Sequence, residues 1–273
     1  MRRILFLLTA TTALCAGPSL IFPLARYKGV EVTNGGSVKG VVTIDPVPAV
    51  AEFEIQKDAK FCGAKKPSFR LVVDPASKGV KNVIVYLDGI KAGKKRQKGQ
   101  TFTINQKSCL YDPHILIVPM RSKVQFKSSD PILHTVHVHR GTPDQPNSKT
   151  EDILNVPFTD ADVAPMEIGR RALRRPGFLA VQCDAGHIWM SAYIWVVEHP
   201  YYVLTDNKGK FELKDIPPGT YTLRFWHAGW KATPLRSGDS ISGYEYGPPL
   251  RHSVTITIKA GEAAAAGWTI SGS

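Results

Sequence analysis

"FLAVQCDAGHIWMSAYIWVV", residues 178–197, sets two apolar runs around a short loop that carries a thiol, an imidazole and a thioether. The runs "FLAV" and "AYIWVV" are short and rich in branched and aromatic residues, which predicts two buried strands serving as a rigid scaffold. Between them Cys183, His187 and Met190 fall within eight positions. Either these are three unrelated core residues or they are most of a metal site. Four residues of extended chain reach up to about 14 Å, whereas donors to one ion lie within a few ångströms of each other, so the loop must curl. Gly186, able to take positive φ, stands where the curl is needed.

The remainder of the chain repeats the strand pattern. "SVKGVVTI", "NVIVYLD", "HILIVPM", "KVQFKS", "HTVHVH", "TYTLRFWH" and "HSVTITIKA" are separated by turn residues, and no amphipathic helical stretch of comparable strength occurs. The 273 residues suffice for one large or two ordinary domains. An all-β protein of sandwich type is expected, with residues 141–175 as the main irregular region and room there for one short helix. No hydrolase elbow, phosphate-cradling loop or pair of acids spaced for hydrolysis is present, so no enzyme is expected.

Residues 1–25 read as a secretory signal: two arginines, an apolar run too short to span a bilayer, then small residues, with cleavage placed near Cys15 to Gly17. A periplasmic or secreted location without a stable membrane span follows as the expectation. In an oxidising compartment, Cys62, Cys109 and Cys183 leave one thiol over once two pair. Cys62 and Cys109 sit in polar, turn-like contexts that suit a disulfide, worth about 4 kcal/mol on the chain-entropy account. Cys183 is then the odd thiol, which thiol chemistry or metal ligation would explain. The formal charge of +12 points to an acidic partner or anionic surface. Nucleic acid is disfavoured, because no zinc-finger spacing, RNP-like motif or aromatic–basic interleaving accompanies the charge.

A mononuclear copper site of the blue type takes two imidazoles and a thiolate in one plane with a weak axial thioether. The missing imidazole should come from another strand, and "SSDPILHTVHVHR" offers His134, His137 and His139. Alternation puts His134 with Val136 and Val138 on the buried face. His134 is therefore the fourth ligand expected, while His137 and His139 would face solvent, a partner or a second, adventitious metal. His114 and His227 are expected to hydrogen-bond structurally, and Trp189 to belong to core or rim.

"DPILHTVH" followed by "RPGFLAVQCDAGHIWMSAYIWVVE" resembles the cupredoxins: plastocyanin, amicyanin, azurin and their relatives. The likeness covers about residues 100–198. It implies a Greek-key β-sandwich holding one type 1-like copper ion on His134, Cys183, His187 and Met190, with His187 as an exposed electron port. Three features depart from that pattern. Three residues separate Cys183 from His187, Leu179 stands where a binuclear copper domain has a second cysteine, and Thr135 replaces the Asn that usually ties the ligand loops. The last departure suggests a looser surrounding shell.

Thr205–Tyr221, "TDNKGKFELKDIPPGTY", is similar to the small prealbumin-like sandwiches called carboxypeptidase regulatory-like modules. The chain is accordingly divided into a copper domain over 34–198 and a regulatory-like sandwich over 199–273. Residues 36–90 remain open: they belong to the copper domain or supply opening strands of the C-terminal module. The function expected is one-electron transfer with an acidic redox protein, a cytochrome or oxidoreductase. The alternative is a copper-binding or storage module of an envelope assembly that does not cycle the metal.

Overall fold

The computed structural model describes residues 27–97, 99–169 and 171–272, so the signal reading of residues 1–25 lies outside the described residues. The chain is built from strands, as expected. Among the described residues the one α-helical element is the single turn Ala59–Cys62.

The first sandwich faces a five-stranded sheet with a four-stranded one. The larger sheet runs Glu151–Phe158, His134–Gly141, Gly177–Gln182, Ser191–Val197, Ile115–Pro119; the smaller runs Met166–Glu167, Lys123–Ser128, Thr101–Lys107, Leu110–Asp112. Their facing sides bury Val136, Val138, Leu179, Val181, Ile194 and Val196 against Val124, Phe126 and Ile104. The second sandwich packs Tyr202–Leu204, Ile84–Asp88, Gly219–His227 and Leu250–Ile258 against Lys210–Ile216, Gly36–Asp45 and Ala263–Ser271.

The placement left open for residues 36–90 has a plain answer in the sheets. Gly36–Asp45 lies between Lys210–Ile216 and Ala263–Ser271, and Ile84–Asp88 pairs with Gly219–His227. A division at 198/199 therefore does not separate the two cores. The C-terminal sandwich draws strands from both ends of the chain, and the first sandwich is threaded between them. Between Gly36–Asp45 and Ile84–Asp88 the chain crosses over: Phe53, Ile55 and Cys62 are buried in the first core. Cys62 is disulfide-bonded to Cys109, 47 residues on.

The unbroken apolar runs around residue 183 have a physical cause. Leu179, Val181, Ala192, Ile194 and Val196 face the first core, while Phe178, Ala180, Tyr193, Trp195 and Val197 pack with Ile84, Trp226 and Ala228 between the sandwiches. Both faces of these strands are covered, so alternation disappears. Residues 141–175 are less irregular than expected. Glu151–Phe158 pairs along His134–Gly141 as an edge strand, where Pro157 is tolerated because its missing N–H faces no further strand. No helix forms there among the described residues.

Candidate metal centre

Two neighbouring antiparallel strands deliver the donors. His134 opens the strand His134–Gly141, and Cys183 ends the run begun by Gly177–Gln182, with which it pairs. His187 reaches back because the loop turns at Gly186, whose φ is 88°, and closes through the Met190 N–H donating to His187 O at 2.9 Å. His134 Nδ1 lies 3.1 Å from His187 Nδ1, and His187 Nδ1 lies 3.6 Å from Cys183 Sγ. All three donor atoms are within 4.8 Å of one another and all three residues are buried. With bond lengths of about 2.0 Å to nitrogen and about 2.3 Å to sulfur, a trigonal set of two nitrogens and one sulfur spaces its donors by about 3.5 and 3.7 Å. The two edges that meet at His187, 3.1 and 3.6 Å, come close to those spacings.

The remote nitrogens explain why these atoms face each other. His134 Nε2 lies 2.9 Å from Asp130 Oδ2, and His187 Nε2 lies 3.0 Å from Asp58 Oδ2. Ionised carboxylates only accept, so each Nε2 carries the proton and each Nδ1 presents a lone pair. Two lone pairs and a thiol sulfur meeting in a buried space repel one another unless a cation or proton joins them. Burial also holds both imidazoles below the ordinary histidine range, and for His187 the adjacent His134 adds to it. Both are imidazoles kept in the neutral form that a metal ligand requires.

Asp130 and Asp58, which orient the two imidazoles, are residues of the candidate site that the sequence reading missed. Asp130 is buried and accepts from the N–H groups of Ser108 and Cys109, both at 2.7 Å. Those two residues take positive φ in succession, which turns both N–H groups toward one carboxylate. Asp130 stands in the quoted "DPILH" four residues before His134, a local signal that was available. Asp58 had no such signal. It comes from the crossover segment, caps the turn Ala59–Cys62 in left-handed conformation, and reaches His187 across 129 residues.

The sulfur is held by Thr135, whose N–H donates to Cys183 Sγ at 3.3 Å. The Thr135 hydroxyl accepts from the Asp184 N–H at 2.6 Å and lies 3.7 Å from the same sulfur. The threonine thus ties the two ligand segments itself, and the looser shell anticipated from the missing Asn is not what its contacts describe. Met190 is buried in the same core, beside the loop it closes. Trp189 is core, as expected: it packs edge-on to His187 at 5.2 Å and donates Nε1–H to Cys109 O.

Two expectations need correction. His187 does not present an exposed edge, because its side chain is 0% exposed beneath Asp58. Of the three settings expected for His137 and His139 (solvent, a partner or a second metal), open solvent does not hold: His139 is buried and His137 is only 14% exposed. Their face of the sheet borders a cleft of about 920 Å3, walled by His139, Lys149, Cys183, Asp184 and Met190 on one side and Tyr246 on the other. His114 donates Nδ1–H to Ser191 O at 2.9 Å, a structural role.

Fold and site together define a two-sandwich β protein with a buried sulfur–imidazole centre. No protein-family model matches the chain, and no curated protein matches it. Solved structures similar to part of the chain include a copper-containing nitrite reductase from Thermus scotoductus SA-01, 18% identical, covering 41% of this chain and 25% of that one, at a TM-score of 0.30. This chain thus spans a quarter of the reductase's length. Auracyanin A, a "blue" copper protein from Chloroflexus aurantiacus, is 15% identical over 37% of this chain and 100% of its own, at 0.29. A reduced Cu(I) form of an amicyanin variant is 12% identical over 36% and 82%, at 0.27.

Proposed function

We propose that the protein would hold one copper ion on His134, Cys183 and His187, with Met190 as a further, weak donor, and carry single electrons. The observation behind this reading is the pair of imidazole lone pairs turned toward each other and toward Cys183 Sγ, each fixed by a carboxylate on the far nitrogen. Copper bound there would supply a one-electron couple in a setting that changes little between its two states. The chain's own residues position the donors, exclude water and shield His187. With the His187 edge covered, the approach left to a partner is the cleft beside Cys183 and Met190. The net charge of +12 supports an acidic redox protein as that partner, drawn by long-range attraction at low salt. In this reading the chain is exported, carries electrons rather than transforming a substrate, and crosses no membrane; no described helix is long and apolar enough to do so.

The test is a Cu(II) titration followed in the visible range. An intense thiolate-to-copper band, saturating at one equivalent and absent in Cys183→Ser, is the expected result. Bound copper without colour in the unmutated protein would remove the electron-carrier reading. The covered His187 edge favours one other reading, a copper-holding module that does not cycle. Voltammetry separates the two, since a holding module binds Cu(I) tightly and gives no reversible wave.

A further inference from the structure

On the cleft side of the same sheet a second group of donors is gathered. His137 and His139 lie side by side along the strand, ring centroids 3.7 Å apart with the rings tilted by 47°, and Asp152 lies against both. Its Oδ1 is 3.3 Å from His137 Nε2 and 2.7 Å from His139 Nδ1. The three donor atoms lie within 4.8 Å of one another.

A β-bulge builds this arrangement. Val138 pairs with Leu154, so an unbroken ladder would set Ile153 opposite His139. The register instead shifts, and His139 pairs with Asp152. Bulges re-aim side chains in this way, and here a carboxylate replaces an isoleucine beside two imidazoles.

The proton count at His137 supplies a second, independent argument. Its Nδ1 hydrogen-bonds Asp184 Oδ2, while its Nε2 faces Asp152. A neutral imidazole has one proton for these two carboxylates. If Nδ1–H donates to Asp184, Nε2 presents a bare lone pair to Asp152, an arrangement that either a second proton on the ring or a shared cation resolves. The Asp184–His137 contact is the outer carboxylate that typically orients a metal-bound histidine. His139 Nε2 is buried and has no hydrogen-bond partner, so Nδ1 is the nitrogen that His139 commits to the group. Asp152 is 75% exposed, which leaves an entry path and open coordination positions for water or a ligand. Lys149 lines the same cleft and is the cation that opposes binding.

We propose that His137, His139 and Asp152 form a second cation site, suited to a borderline divalent ion such as Zn2+ that favours two imidazoles and a carboxylate. Asp184 follows Cys183 directly and its N–H is bound by Thr135, so one peptide bond joins the thiol of the first group to the carboxylate that holds His137 in the second. The proposal does not depend on the copper reading.

The experiment is a Zn2+ titration by calorimetry and metal analysis on the full chain, its Cys183→Ser variant, and each of these carrying Asp152→Asn with His137→Ala. Removing Asp152 and His137 is expected to abolish one equivalent of zinc, or weaken it at least tenfold, in both backgrounds. The loss tied to Cys183→Ser reports on the first centre alone, so failure of one reading leaves the other measurable. Asp152→Asn by itself changes an exposed residue and guards against misfolding; it should weaken the same equivalent. Co2+ in the Cys183→Ser background should give d–d absorption without a thiolate band. Unchanged zinc stoichiometry and affinity across the Asp152 and His137 variants would reduce the cluster to a hydrogen-bonded ion pair and overturn the proposal.

Discussion

At the scale of single residues, the centre depends on two carboxylates that do unequal work. Asp130 is buried and gathers three donors, His134 Nε2 and the N–H groups of Ser108 and Cys109. Asp58 is 31% exposed and its side chain holds His187 Nε2. Removing a buried charged acceptor strands its donors, at about 1–3 kcal/mol per unsatisfied group. Loss of an outer partner of a metal-bound histidine costs about 10–100-fold in affinity. Asp130→Ala should therefore lower stability by roughly 3 kcal/mol and copper affinity by about 100-fold, against about 1 kcal/mol and 10-fold for Asp58→Ala. Urea denaturation and a competition titration with a chelator would measure both, and equal effects would contradict the ranking. His134 was legible because alternation with Val136 and Val138 needs no tertiary information. Asp58 was not, since no local pattern announces a contact spanning 129 residues.

Among elements, the crossover segment decides how closed the centre is. Glu52–Glu54 pairs with Lys65–Pro67, the turn Ala59–Cys62 follows Asp58, and the Cys62–Cys109 disulfide fastens this cover to the turn that feeds Asp130. A single helical turn is too short to hold itself in water, so packing of Phe53, Ile55 and Cys62 and the covalent tie must keep it in place. Cys62→Ser combined with Cys109→Ser should cost about 2–5 kcal/mol. Amide exchange over residues 52–67 should rise well above that of the strands around Cys183, because the cover can lift while the sandwich stays closed. Uniform exchange throughout the chain would show that the segment opens only with global unfolding. The disulfide was legible from cysteine arithmetic, but that the segment it fastens carries Asp58 onto His187 was not. The strands around Cys183 were legible as buried runs, whereas the bulge at Val138–His139 leaves no mark in composition and exists only in the pairing with Glu151–Phe158.

Over the whole molecule, the two sandwiches meet around a buried cation. Arg70, carried on the crossover, donates Nε–H to Gly229 O at 2.9 Å, one guanidinium N–H to Ser191 Oγ at 3.1 Å and another to Tyr193 OH at 2.6 Å. Its guanidinium also lies 3.7 Å from the centre of the Tyr246 ring. One arginine thus touches both sandwiches, and no salt bridge to it occurs among the described residues. A fold division read from composition could not include this contact, because its partners lie in three separate segments of the chain.

The acid sensitivity of this junction follows from the histidines beside that arginine. Burial first, and the positive charge of Arg70 second, pull His114 down to about 3; burial, opposed by a backbone hydrogen bond and joined by Arg70, pulls His227 down to about 4. Unfolded, both regain the ordinary value near 6.5. Between those values the unfolded chain binds protons that the folded chain refuses, so stability rises with pH and falls as acid is added. Going from pH 7 to pH 5 should cost roughly 2 kcal/mol for each of the two histidines. Other groups titrate in the same range, so the informative quantity is a difference between proteins. In metal-free protein, His227→Asn should be less stable at pH 7 yet lose roughly 2 kcal/mol less than the parent on acidification, as read from urea midpoints. The sandwiches should part before either core melts, seen as early exposure of Trp226 and Trp195 by fluorescence, since both lie in the layer between them. An identical pH dependence in parent and variant would mean that His227 takes up its proton in the folded state, and the junction would then not be the acid-sensitive part of the molecule.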